Sequence, residues 1–137
     1  MEARALGMEV IPQNVFTLIL DDDSSPFDIW LDHIDDISAQ GRISRQVDKL
    51  GRGLFGDHKD VGEGVSELRL DFGPGYRVYY GRRGNTVVVL LGGSTKKTQQ
   101  AAMDEAKRLW RSYKDAGCPD AALAPWRGDD RPQEGGR

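Results

Sequence analysis

The sequence predicts an α+β fold: an N-terminal strand and helical hairpin, a three-stranded antiparallel meander and a C-terminal helix. Three observations carry that prediction. Residues 65–91 alternate apolar and polar positions around two glycine-containing turns, the pattern of consecutive short strands. Two stretches before them and one after repeat apolar residues at three- and four-residue steps, the period of helices with one buried stripe. The chain's 137 residues suit one domain with a single modest core.

Residues 1–14 show no period and are expected to form an extension without fixed structure, ahead of a domain spanning 15–116. Val15 to Leu20 reads as the first strand. Asp21 to Pro26 then supplies a turn, a serine N-cap and proline at the first helical position. Phe27, Trp30, Leu31, Ile34 and Ile37 share one face of the helix that follows. Its acidic outer face reads as solvated surface, and His33 there as a surface residue rather than a ligand. A second helix is predicted over Ala39 to Gly51, with Ile43, Val47 and Leu50 inward and Arg42, Arg45, Gln46 and Lys49 outward. Gly56 to Gly64 reads as a loop.

In the meander, Leu68, Leu70 and Phe72 share one face of the first strand, with Glu67, Arg69 and Asp71 on the other. A three-residue loop at Gly73-Pro74-Gly75 puts Phe72 opposite Tyr76, Asp71 opposite Arg77 and Arg69 opposite Tyr79. Tyr76, Val78 and Tyr80 join the apolar face, while Arg77 and Tyr79 join a polar face expected to stay open. A turn at Arg83-Gly84-Asn85 leads to Thr86–Leu91, apolar on both sides and therefore the central strand. The last helix begins near Thr98, with Ala102, Met103, Ala106, Leu109, Trp110 and Tyr113 in register as core packing. Residues 117–137 are polar and read as a tail without fixed structure, in which Trp126 is the residue able to dock.

The formal net charge of −3 is unevenly spread. Residues 42–97 hold eleven Lys/Arg against six Asp/Glu, whereas residues 1–23 hold five acidic residues against one arginine. A basic centre between acidic ends suits a polyanionic partner. The single cysteine, Cys118, excludes an internal disulfide framework and fits a reducing cytoplasm. Two histidines leave no basis for a histidine-rich metal centre, and no metal or cofactor is expected. No apolar run reaches membrane-spanning length and no signal-peptide pattern is present, so a membrane partner is not expected.

Lys96 and Lys97 sit at a predicted helix start, where cations oppose the macrodipole. Gly92-Gly93-Ser94-Thr95 ahead of them reads as a turn exposing backbone N–H groups, so the three features together make a candidate phosphate site. Two solvated lysines are the plainer alternative. Lys59, Arg69 and Arg77 are expected near the same edge of the open face. Cleaving RNA through its 2′-hydroxyl requires a deprotonated nucleophile, a stabilised phosphate and a protonated leaving oxygen. Arginines supply the second need. Tyr79 and His58 qualify as acid or base by position, and Arg82 and Arg83 as RNA contacts at the second turn. For Asp71 opposite Arg77 a simple cross-strand ion pair is the plainer reading.

The segment Gly56 to Gln100, GDHKDVGEGVSELRLDFGPGYRVYYGRRGNTVVVLLGGSTKKTQQ, resembles the core of the RelE/ParE superfamily of bacterial toxins. Within it, the HigB-like addiction module killer branch carries GD-K-VGEGVSELR, GPGYRVYY and LL-GG-K-TQ segments. A weaker likeness spans Phe16 to Tyr113. The resemblance implies a RelE-like fold and the toxin of a type II toxin-antitoxin system, a ribosome-dependent mRNA endonuclease that inhibits translation in the cytoplasm. On the family pattern Arg77 is the GYR arginine, Arg69 the basic residue on the preceding strand, and Lys96 or Lys97 the basic residue after the last strand. RelE carries a tyrosine in its final helix that is missing at Ala101 to Met103, and Glu67 replaces a strand lysine. The resemblance therefore assigns neither general acid nor general base. It implies a cognate helix-turn-helix antitoxin, the ribosome and mRNA as partners, with operator DNA reached only through the antitoxin complex. Two other readings stay open: a ParE-like inhibitor of DNA gyrase without nuclease activity, and an inactive remnant that binds antitoxin.

Overall fold

The structure, a computed structural model, describes residues 10–128. The elements run β1 (Asn14–Leu18), α1 (Pro26–Asp32), α2 (Ile37–Gly51), β2 (His58–Gly62), β3 (Val65–Leu70), β4 (Tyr76–Arg83), β5 (Val87–Thr95), α3 (Gln99–Asp115) and β6 (Leu123–Pro125). They form a mixed α+β structure around one six-stranded sheet, ordered β2-β3-β4-β5-β1-β6. Every neighbouring pair is antiparallel except β1 with β5. No helix among the described residues is long and apolar enough to cross a membrane.

The expected central strand is central. β5 is apolar on both sides because helices cover both faces of the sheet. Val88 and Leu90 join Leu68, Tyr76, Val78 and Tyr80 beneath Phe27 and Leu31 of α1 and Ile43, Val47 and Leu50 of α2. Val89 and Leu91 join Val65 and Tyr79 beneath Ala106, Leu109, Trp110 and Tyr113 of α3. Two strand glycines let the helices come this close. A Cβ at Gly93 would strike the Trp30 ring, and one at Gly81 would strike the Trp110 ring.

The second layer corrects the expectation of an open polar face. Glu67, Arg77 and Tyr79 lie under or beside α3, with exposures of 1%, 5% and 0%. Strand alternation tells which residues share a face, but not what a later helix does to it.

The register of the meander also differs. The β3–β4 connection is five residues long, Asp71 to Gly75, so Leu70 pairs with Tyr76, Arg69 with Arg77, and Glu67 with Tyr79. The Gly75 N–H donates to the Phe72 carbonyl (2.9 Å), and Gly73 and Gly75 take φ of 54° and 80°, which glycine adopts without strain. The slip is two residues, an even number, so each side chain keeps its face while its partner changes.

Three element boundaries moved for local reasons. The apolar stripe from Phe27 to Ile37 spans two helices: α1 ends at Asp32, Asp36 caps α2 by accepting from the Ala39 N–H (3.2 Å), and Ile37 is 79% exposed. The expected loop at 56–64 contains an edge strand, β2, hydrogen-bonded to β3. The expected turn at Gly92–Thr95 is the end of β5, paired with β4 from Tyr76 to Tyr79.

Both ends of the described chain are more ordered than expected. Gln13 is buried, its N–H donates to the Gly51 carbonyl (3.0 Å), and its amide reaches the Asn85 carbonyl (2.7 Å). β6 pairs with β1, and the Trp126 N–H donates to the Val15 carbonyl (2.8 Å). The Trp126 ring packs edge-on to Phe27 with centroids 5.6 Å apart, and its Nε1 donates to Asp48 (2.8 Å). The readings of residues 10–14 as an extension and 117–128 as a tail are thus corrected. Backbone pairing and one docked ring hold these segments, and neither leaves an apolar period. For residues 1–9 and 129–137 those readings lie outside the described residues.

Trp126→Ala is accordingly expected to lower unfolding free energy by about 2 kcal/mol, the scale for losing a partly buried aromatic and its hydrogen bond. Urea melts check this. An unchanged midpoint would mean that the ring contributes nothing.

Candidate functional site

β3 and β4 set Arg69 directly opposite Arg77, and β5 sets Ser94 on the other side of Arg77. Directly opposed residues on antiparallel strands stand ~5 Å apart at Cα, and like charges there repel. Each guanidinium has a partial answer. Arg69 Nη2 donates to Asp57 (2.9 Å), a hydrogen bond that raises the Arg69 pKa further. Arg77 Nη1 donates to the Tyr76 carbonyl (3.0 Å) and reaches Asp71 at 3.4 Å. The Asp71 side chain is 73% exposed, so water screens that link. The buried Nε groups of Arg69 and Arg77 have no acceptor among the described residues. A buried N–H without an acceptor is costly.

Lys96 adds charge beside them. A methyl built on Gly75 would contact Cβ and Cδ of Lys96 and lie 3.8 Å from Arg77 Nη1, so the Lys96 stem and the Arg77 guanidinium flank that glycine. The Lys96 N–H is already used, donating to the Gly75 carbonyl (2.6 Å). The expected cradle of free backbone N–H groups at Gly92–Thr95 is therefore absent, because those residues belong to the β4–β5 ladder. Lys96 and Lys97 offer exposed side chains from a short 3-10 turn. Lys59 stands opposite Glu67, exposed on the edge strand.

A second polar group lies one step along the same face. The Glu67 carboxylate accepts from Gln99 Nε2 (2.7 Å), which ties the start of α3 to β3. The Tyr79 hydroxyl lies 3.3 Å from Glu67, 3.2 Å from Ser94 Oγ and 3.4 Å from the Gln99 carbonyl. Burial is the main force pushing the Tyr79 pKa up to about 12, and the Glu67 charge adds to it. A neutral, fully covered phenol does not exchange protons with a ligand at neutral pH. Tyr79, expected in catalysis, is a structural group that fastens α3 to the sheet.

The remaining expected residues are scattered. His58 pairs with Leu68 on the opposite face, its ring 5.6 Å from Phe55. Arg82 lies over the Phe55 ring (4.5 Å), and Arg83 donates to the Tyr113 hydroxyl (3.0 Å). Both arginines sit at the β4–β5 turn, the far end of β4 from Arg77. The fold thus gathers Arg69, Arg77 and Lys96, with Lys97 and Lys59 at the margin, and separates His58, Arg82 and Arg83 from them. Arg42, Gln46, Asp57 and Phe72 were missed as neighbours of the cluster. The outward spacing of Arg42 and Gln46 on α2 was the available signal, and it pointed only to solvent.

Burial of Tyr79 and Tyr80 predicts a specific alkaline behaviour, since both phenols rise from 10.0 to about 12. The folded protein holds these protons more tightly than the unfolded chain. Stability from this source is therefore complete below pH ~10 and lost as pH rises from there through 12. The phenolate absorbance of Tyr79 and Tyr80 should appear near pH 12 in the folded protein, and Tyr79→Phe should flatten the loss of stability above pH ~10. An identical alkaline melting profile for the variant would contradict the assignment.

No family model matches the chain. An uncharacterized protein of Haemophilus influenzae is 41% identical over 83 residues, covering 61% of this chain and 84% of that protein. With that identity over most of the relative's length, the chain belongs to the same family as the uncharacterized Haemophilus influenzae protein.

Proposed function

We propose that the protein is a RelE/HigB-type toxin of a type II toxin-antitoxin system, acting as a ribosome-dependent mRNA endonuclease that inhibits translation in the cytoplasm. The observation that carries this reading is the facing pair Arg69 and Arg77, with acceptor-less Nε groups and the Lys96 stem near Arg77 Nη1. Such a cluster is suited to a phosphate whose charge grows during cleavage. The helical hairpin, the meander and the parallel β1–β5 pair support a RelE-like arrangement, as does the GYR sequence ending at Arg77. In this reading the arginines grip the scissile phosphate, Lys96 and Lys97 add positive potential, and Lys59 contacts the strand nearby. The ribosome orients the 2′-hydroxyl for in-line attack, which a handful of cations does not do alone. A helix-turn-helix antitoxin holds the toxin inactive and carries any contact with operator DNA.

A second reading is favoured by one observation. Tyr79 is covered and His58 faces away, so neither stands ready to move a proton at the arginine pair. A ParE-like gyrase inhibitor needs no such group.

Antitoxin-free protein added to a translating extract is expected to cut message at codons held in the ribosome and to leave naked RNA largely intact. The Lys96→Ala/Lys97→Ala double variant should slow cleavage at least about tenfold, the scale for removing positive charge beside a transition-state anion. Intact message together with arrested supercoiling and trapped gyrase–DNA complexes would establish the second reading instead.

A further inference from the structure

Where β3 leaves the sheet, a pocket of about 300 Å³ is lined by Arg42 and Gln46 of α2, Asp57, Arg69, Asp71 and Phe72. We propose that it is a subsite for one nucleobase of a single-stranded RNA whose phosphate lies on Arg69 and Arg77; that the ligand is RNA rests on the nuclease reading above.

Four features point to a base. The half-buried Phe72 ring is steadied from one side by Tyr76 (centroids 5.3 Å apart), and the Arg42 guanidinium lies over it at 3.7 Å. Arg42 is exposed and on a flexible stem. A cation over a partly exposed ring is the weaker contact and base stacking the stronger, so a base entering between the two planes is favoured and stacks on both. The charges around the pocket balance, Arg42 and Arg69 against Asp57 and Asp71. That suits a neutral heterocycle, with Asp71 shared between the pocket and Arg77. The walls also mix donors and acceptors, as a base edge requires. The Gln46 amide offers both, and the Asp71 carboxylate is mostly exposed. Finally, Arg69 belongs to the pocket and to the phosphate cluster alike, with Arg77 one strand spacing away, ~4.8 Å. A base in the pocket therefore brings its own phosphate to the guanidinium pair.

The test titrates the whole chain, followed by NMR, with the four nucleoside 5′-monophosphates and separately with inorganic phosphate. Nucleotides are expected to shift Phe72 ring and Arg42 guanidinium signals together with Arg69 and Arg77, whereas phosphate shifts the latter two alone. Phe72→Leu keeps apolar volume and removes the stacking face. It should weaken nucleotide binding about tenfold and leave phosphate affinity within about twofold. Should Phe72→Leu melt early, Arg42→Ala at an exposed position and Gln46→Ala at a half-buried one carry the same comparison, with Gln46→Ala expected to change the ranking of the four bases. Nucleotides that bind no better than phosphate and leave Phe72 unshifted overturn the subsite while the phosphate cluster stands. Nucleotide binding through Phe72 in a protein that leaves message intact keeps the subsite and removes the nuclease.

Discussion

Arg77→Ala is expected to abolish message cleavage and growth inhibition, with a loss of at least ~100-fold, the scale for removing one donor aimed at a developing oxyanion. The effect on the fold should be moderate. The side chain is 6% exposed and donates to the Tyr76 carbonyl, so truncation removes packed methylenes and a hydrogen bond. Against this, truncation relieves the repulsion with Arg69 and the Nε–H that lacks an acceptor. The net cost should be about 1 kcal/mol, within the ordinary range for point changes. Arg77→Lys separates charge from geometry, because lysine restores a point charge without the planar fork. It should melt like the parent and still cleave poorly. Wild-type cleavage by the alanine variant in a translating extract would remove Arg77 from the site.

Trp110→Ala should be the most destabilising of the changes considered, at roughly 3–5 kcal/mol, the usual range for emptying a buried aromatic site. The ring is 2% exposed, stacks on Tyr113 with centroids 5.3 Å apart, and lies on the bare backbone of Gly81. Gly81 itself has no side chain to move into the space. Such a loss is a large share of the 5–15 kcal/mol that holds a typical domain folded. Gly81→Ala tests the same contact from below, since its methyl would enter the indole; overpacking of this kind costs about 1–3 kcal/mol. A urea midpoint for Trp110→Ala within the error of the parent would mean that α3 does not pack on the sheet in this way.

The sequence by itself determined the elements whose signals are local. Ser25 and Pro26 start α1 because a hydroxyl acceptor and a missing N–H suit the same two positions. The stripe from Ala106 to Tyr113 specifies the buried face of α3, since a helix returns to the same side every three or four residues. Val88 to Leu91 specify a strand covered on both faces, because no solvent-facing alternation interrupts them. Arg69 and Arg77 were legible as neighbours on one face through strand parity alone.

Their direct opposition was decided only in three dimensions, by a turn that takes Asp71 out of the strand and moves the register by two. The same holds for the cover over Glu67 and Tyr79, supplied by a helix some twenty or more residues downstream of both. β2 and β6 left no apolar pattern, because an edge strand is held by a neighbour's backbone, which carries no side-chain code. Trp126 on Phe27, and Arg42 over Phe72, join segments far apart in the chain. Local periodicity reports what each segment buries and not against what. The pocket beside the arginines exists because α2 and the end of β3 meet there, and docking of elements, rather than any single stretch of sequence, sets that meeting.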